Sequence, residues 1–86
     1  DFVDAGIALN RVASRPNGDK LLEFVSIVGG VYTIQYSADG ENWISVVPDV
    51  IAGSNVTQWV DNGPPKTSSH PSTTGNRFYR VMRKAP

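Results

Sequence analysis

His70 is the chain's one histidine, and it sits in the run Asp61 to Asn76, DNGPPKTSSHPSTTGN. Ser68 and Ser69 stand just before it, so a hydroxyl and a base occur close together. Nucleophilic catalysis needs that hydroxyl within hydrogen-bond reach of the base, and the base held by a third group. The G-x-S-x-G turn that presents a serine is absent. A polar loop in a small domain supplies no rigid frame for a triad. His70 is therefore expected to be an exposed loop histidine.

Carboxylates are the second source of chemistry. Asp39 and Glu41 lie close in sequence, and Asp49 and Asp61 fall at expected strand ends. Glycoside hydrolysis needs two carboxyls at a fixed separation across a cleft, and a domain of this size offers little cleft. These acids are expected to shape turns, where aspartate bonds its own backbone. Asp39, Glu41 and Asn42 also gather hard oxygens, but the calcium-loop order of acids, glycine and a late glutamate is missing. With one histidine and no cysteine, zinc lacks its usual ligands. The sequence thus predicts neither a catalytic residue, nor a metal site, nor a cofactor.

Aromatic rings offer a third chemistry. A flat exposed Trp or Tyr stacks on the apolar face of a sugar. The candidates for such a platform are Trp59, Tyr36 and Trp43, with Tyr32 and Tyr79 as further rings. Core packing competes for all of them, because a small domain needs its large side chains inside. In Val56 to Val60, Trp59 shares a face with Thr57 and Asp61, whereas Val56 and Val60 share the other with Gln58. If the valines point inward, Trp59 points outward beside polar neighbours, as a binding ring would. Gln58 on the valine face speaks against that orientation.

The elements that hold these residues are legible as strands. Val31 to Ser37, VYTIQYS, alternates with Tyr32, Ile34 and Tyr36 on one face. Asp39-Gly40 is a hairpin dipeptide, and Trp43 to Val47 returns from it until Pro48. That return places Trp43 near Tyr36 as a cross-strand aromatic neighbour. Lys20 to Val28, Val56 to Val60 and Arg77 to Arg83 read as further strands, and Gly6 to Val12 as a weaker one. Asn17-Gly18 and Gly29-Gly30 mark turns. Residues 61–76 carry no period and read as a long loop, unusual inside a compact domain. Asn55-Val56-Thr57 matches a glycosylation acceptor, a short pattern that here reads as a turn. About six or seven strands at short intervals predict an all-β, antiparallel β-sandwich over residues 1–86, with barrel closure as the alternative.

Length and charge narrow the function classes. The chain has 86 residues, enough for one domain and one core. Eight Lys and Arg balance eight Asp and Glu, so nucleic acid is not an expected partner. No apolar run reaches the ~18 residues of a spanning helix, so membrane insertion is not expected either. All eight acids lie at or before Asp61, whereas Arg77, Arg80, Arg83 and Lys84 crowd the last ten residues. Either a final strand pairs these cations with acids on its neighbours, or they form an anion-binding stripe. The sequence opens on Asp1 without a leader pattern, which suggests a processed product or a piece of a longer protein.

VYTIQYSADGENWISV at Val31 to Val46 resembles a hairpin of secreted bacterial β-sandwich modules. Gly53, Val56 to Asp61, Pro64-Pro65 and the Arg77-Phe-Tyr-Arg-Val strand follow in the order those modules show. They are similar to fibronectin type III and immunoglobulin-like accessory domains, and the resemblance covers about residues 20–83. It implies a non-catalytic accessory or spacer module of a secreted or cell-surface protein. The alternatives are a carbohydrate-binding module and a structural subunit of a surface assembly. The partners expected are polysaccharide or neighbouring domains and subunits.

Overall fold

A computed structural model describes residues 2–85. It is all-β and antiparallel, with eight strands in two sheets. The strands are β1 (Phe2–Ile7), β2 (Leu9–Ser14), β3 (Lys20–Val25), β4 (Val31–Ser37), β5 (Ile44–Ser45), β6 (Val50–Ile51), β7 (Val56–Asp61) and β8 (Phe78–Lys84). Five of them form one sheet in the order β1-β8-β4-β5, with β6 also paired to β4. The other three form the second sheet, β2-β3-β7. A 3-10 turn, Pro71–Thr73, precedes β8. No helix among the described residues is long and apolar enough to cross a membrane.

The core lies between the sheets. Leu22 and Phe24 from β3, Tyr32, Ile34 and Tyr36 from β4, Trp59 from β7 and Val81 from β8 meet there, closed by Val46 and Ala52. The inner face of β4 is the one its alternation predicts. Phe24 and Tyr32 pack ring to ring across the layers, with centroids 5.2 Å apart. Such a pair adds about 0.5–1.5 kcal/mol beyond the area it buries.

Two expectations about strands are corrected. Gly6 to Val12 is not one strand: β1 lies in the five-stranded sheet and β2 in the other, with only Ala8 between them. β1 meets β8 with register shifts on either side of Asp4, and this irregular pairing lets the chain turn the corner between layers. The pair β5 and β6 replaces the longer return strand. Both pair with β4, at Gln35–Tyr36 and Val31–Tyr32 respectively; the Val46 N–H still donates to the Ile34 carbonyl at 2.8 Å, and residues 47–49 leave the ladder between them. β6 carried no sequence signal because it is only two residues long.

Trp59 is the third correction. It points into the core at 8% exposure, and Val56 on the opposite face is exposed. Register decides this. Leu22 and Phe24 are fully buried, and their partners on β7 are Trp59 and Thr57. Cross-strand partners share a face, so Thr57, Trp59 and Asp61 turn inward together. Gln58 then lies outside, donating to Glu23 at 3.0 Å.

Candidate functional site

Asp61, at the end of β7, accepts four hydrogen bonds. It is 0% exposed. Its Oδ1 accepts the Gly63 N–H at 2.9 Å and the Thr67 hydroxyl at 2.7 Å. Its Oδ2 accepts Arg77 Nη1 at 3.0 Å and the Tyr79 hydroxyl at 2.6 Å. Burial alone would raise this carboxyl's pKa. The bonds from Thr67, Tyr79, Gly63 and Arg77 outweigh burial and hold it below the ordinary carboxylate value. Burial, then the adjacent Asp61 carboxylate, push the Tyr79 phenol well above its usual value. Asp61 belongs to one sheet and Tyr79 to the other, so the cluster fastens the two layers.

The same cluster orders the loop. Arg77 Nη1 also donates to the Ser69 carbonyl at 2.7 Å, and Nη2 to the Ser69 hydroxyl at 2.8 Å. The Arg77 guanidinium lies 5.0 Å from the centre of the Tyr36 ring. Tyr36 Oη accepts the Ser68 N–H at 3.0 Å. Gly63 has φ +83°, and a Cβ there would stand 2.9 Å from His70 Cα. Only glycine combines that backbone conformation with that approach. Residues 61–76, expected to be without internal structure, are thus a fastened segment. Thr67 and Ser69 bond to Asp61 and Arg77, Lys66 donates to the Val60 carbonyl, and His70 reaches Asp19.

His70 is half-buried, not an exposed loop residue. Its Nε2 meets Asp19 Oδ1 at 2.8 Å and its Nδ1 meets Ser72 Oγ at 2.7 Å. Serine, histidine and aspartate therefore stand in line. The Ser72 N–H also donates to Nδ1, at 3.2 Å, so this nitrogen caps the 3-10 turn. With Nδ1 accepting, the proton of a neutral imidazole sits on Nε2 and points at Asp19. The N–H groups of Thr73 and Thr74 bond within the turn, to His70 O and Pro71 O. The neighbourhood thus has the geometry of a capped turn tied to the β2–β3 connection, and those amides are not free to hold an oxyanion.

Asp39 is equally committed to its turn. Oδ1 accepts from the Ser37 hydroxyl and from the N–H groups of Glu41 and Asn42, and Oδ2 accepts from Asn42 Nδ2. These bonds, the Asn42 N–H first, hold its pKa far below the ordinary value. Gly40 takes φ +77°, as the hairpin dipeptide requires. No group of three or more His, Cys, Asp or Glu among the described residues is placed to hold a metal.

The three rings expected to grip sugar are not brought together. Trp59 and Tyr36 are core residues. Trp43 is half-buried, with the Arg80 guanidinium 4.2 Å from its ring centre, and the register sets Ile44, not Trp43, opposite Tyr36. Arg80 Nε donates to Gln35 Oε1 at 2.7 Å, and Gln35 Nε2 donates to Ser45 Oγ at 2.9 Å. Trp43, Arg80, Gln35 and Ser45 form a connected polar and aromatic row across β8, β4 and β5. Sequence reasoning missed this row and the Asp61 cluster, because each joins residues far apart in the chain. Comparison with known proteins finds no matching family model, curated protein or solved structure.

Proposed function

We propose that this chain is a non-catalytic accessory β-sandwich, fibronectin type III-like or immunoglobulin-like, of a secreted or cell-surface protein. The observation that carries this reading is the commitment of its reactive side chains. Asp61, Arg77, His70, Asp19 and Asp39 each spend their polar atoms on bonds that hold the fold. Strand pairing adds a detail. Phe2 on β1 lies opposite Lys84 on β8. Cα partners in an antiparallel pair are about 4.5–5.5 Å apart. Any chain continuing past these strands leaves from one place, so the module would hang beside a host rather than extend it.

Hydrolysis of p-nitrophenyl esters and glycosides by the purified chain tests the non-catalytic part. The reading expects no turnover above buffer. Ester hydrolysis lost in both His70→Ala and Ser72→Ala would replace it with a serine hydrolase.

The row Trp43, Arg80, Gln35 and Ser45 favours carbohydrate binding as the second reading. It combines a ring with hydrogen-bonding groups on one sheet. A sugar would take the ring face opposite Arg80. Retardation in gels containing soluble polysaccharide, lost in Trp43→Ala with the fold intact, would support it. Equal mobility with and without polysaccharide would dismiss it.

A further inference from the structure

Four cations crowd the last ten residues, and three have partners. Arg77 bridges to Asp61, Arg80 donates to Gln35, and Lys84 reaches Asp49 at 2.6 Å. Arg83 differs. Its Nε is buried without a hydrogen-bond partner, and no ion pair engages its guanidinium among the described residues. A guanidinium cannot shed its charge at any pH a protein tolerates. A buried donor without an acceptor carries a standing cost that a suitable ligand would remove.

Tyr32 is the partner of Arg83 across the β4–β8 ladder, so the two side chains share the inner face. Tyr32 is 1% exposed. Its Oη accepts the Ile27 N–H at 2.8 Å, yet its own hydroxyl proton has no acceptor among the described residues. Both residues line a cavity of about 320 Å³ at one end of the sandwich. Ile7, Ala8, Val25 and Ile27 supply the aliphatic part of its wall, and Asp4, Asn10 and Ser26 a polar part. Arg83 and Tyr32 thus bring two unmatched donors, one of them charged, to the edge of a space whose wall is part aliphatic and part polar.

We propose that this cavity binds a small aliphatic carboxylate. Its oxygens accept from Arg83 and from the Tyr32 hydroxyl, and its alkyl group lies against Ile7, Val25 and Ile27. A compact dianion such as phosphate fits less well. It would lose its water against aliphatic walls, with the Asp4 carboxylate on the same cavity. Asp4 is the cross-strand partner of Arg83 on β1, and its Oδ1 accepts the Gly6 N–H at 3.1 Å, but no ion pair joins Asp4 to Arg83 among the described residues. The inference is independent of the accessory role.

Amide NMR titration of the isolated chain with isovalerate tests it, with isovaleramide as the neutral isostere. The expected result is millimolar binding, with shifts at Ile27, Tyr32 and Arg83. Loss of one charge-assisted bond corresponds to about tenfold or more. Binding should weaken by that factor for isovaleramide and in Tyr32→Phe. Asp4→Asn, an exposed change, should tighten binding by removing a like charge. N-acetyl-leucine distinguishes the natural source. Tighter binding than isovalerate points to the terminal carboxylate of a peptide, and weaker binding to a free acid. Equal affinity for acid and amide, weaker binding in Asp4→Asn, or no shifts at 50 mM ligand would each overturn the proposal.

Discussion

Asp61→Asn is the perturbation that bears hardest on the fastening of the two sheets. The carboxylate accepts four hydrogen bonds, two on each oxygen. An asparagine of the same shape presents an NH₂ to one of those pairs, so two donors lose an acceptor and meet another donor. Arg77 then keeps its charge at 6% side-chain exposure with no counter-ion at that site. Removing one partner of a buried ion pair costs about 3–5 kcal/mol. A domain of this size is stable by about 4–13 kcal/mol in total. The loss should therefore lower the melting temperature by about 12–40 °C, at ~4–8 °C per kcal/mol. Urea unfolding followed by tryptophan fluorescence measures it, since Trp59 packs edge-on against Tyr79 at 6.4 Å. Asp61→Asn/Arg77→Met should recover part of the loss, because it also removes the orphaned cation. A cost below ~1 kcal/mol in the single variant would show that Asp61 does not fasten the two sheets.

Further outcomes follow from the same bonds. The folded pKa of Asp61 is depressed, so its contribution is present above the unfolded value of ~3.9 and is lost as pH falls through the folded value. Melting temperatures between pH 6 and pH 2 should fall in this acid window, and less steeply in Asp61→Asn. Gly63→Ala should cost about 1–3 kcal/mol in thermal melts, from its positive φ and from the approach to His70. Ser37→Ala removes the acceptor of the Asp39 and Gly40 N–H groups, which lie on exposed residues, a loss of about 0.5–1.5 kcal/mol in urea unfolding.

Local rules carried much of the fold. The alternation of Val31 to Ser37 places Tyr32, Ile34 and Tyr36 on the core, and Asp39-Gly40 makes the turn that its dipeptide predicts. These features depend on neighbours in sequence, so the sequence reports them. The orientation of Trp59 does not. It follows from pairing with β3, and the competing pattern of Val56 and Val60 pointed the other way. The corner at Ala8 has no glycine or proline to mark it, and two strands read as one. The Asp61 cluster joins positions 61, 67, 77 and 79, and its members look like ordinary turn and strand residues until folding brings them together. Arg83 stood out in the sequence only as one of several tail cations. Its lack of a partner emerges once the other three are seen to be paired.

The proline- and serine-rich segment after β7 is a structural fastening built on Asp61. Native-state hydrogen exchange reads this directly, at the amides of Gly63, Thr67 and Ser68, whose acceptors are Asp61 Oδ1, the Gly63 carbonyl and Tyr36 Oη. The expected result is protection comparable to that of the β4 and β8 amides, with all of them opening together. Exchange of these three amides at the rate of an unstructured loop, while the sheets remain protected, would contradict it.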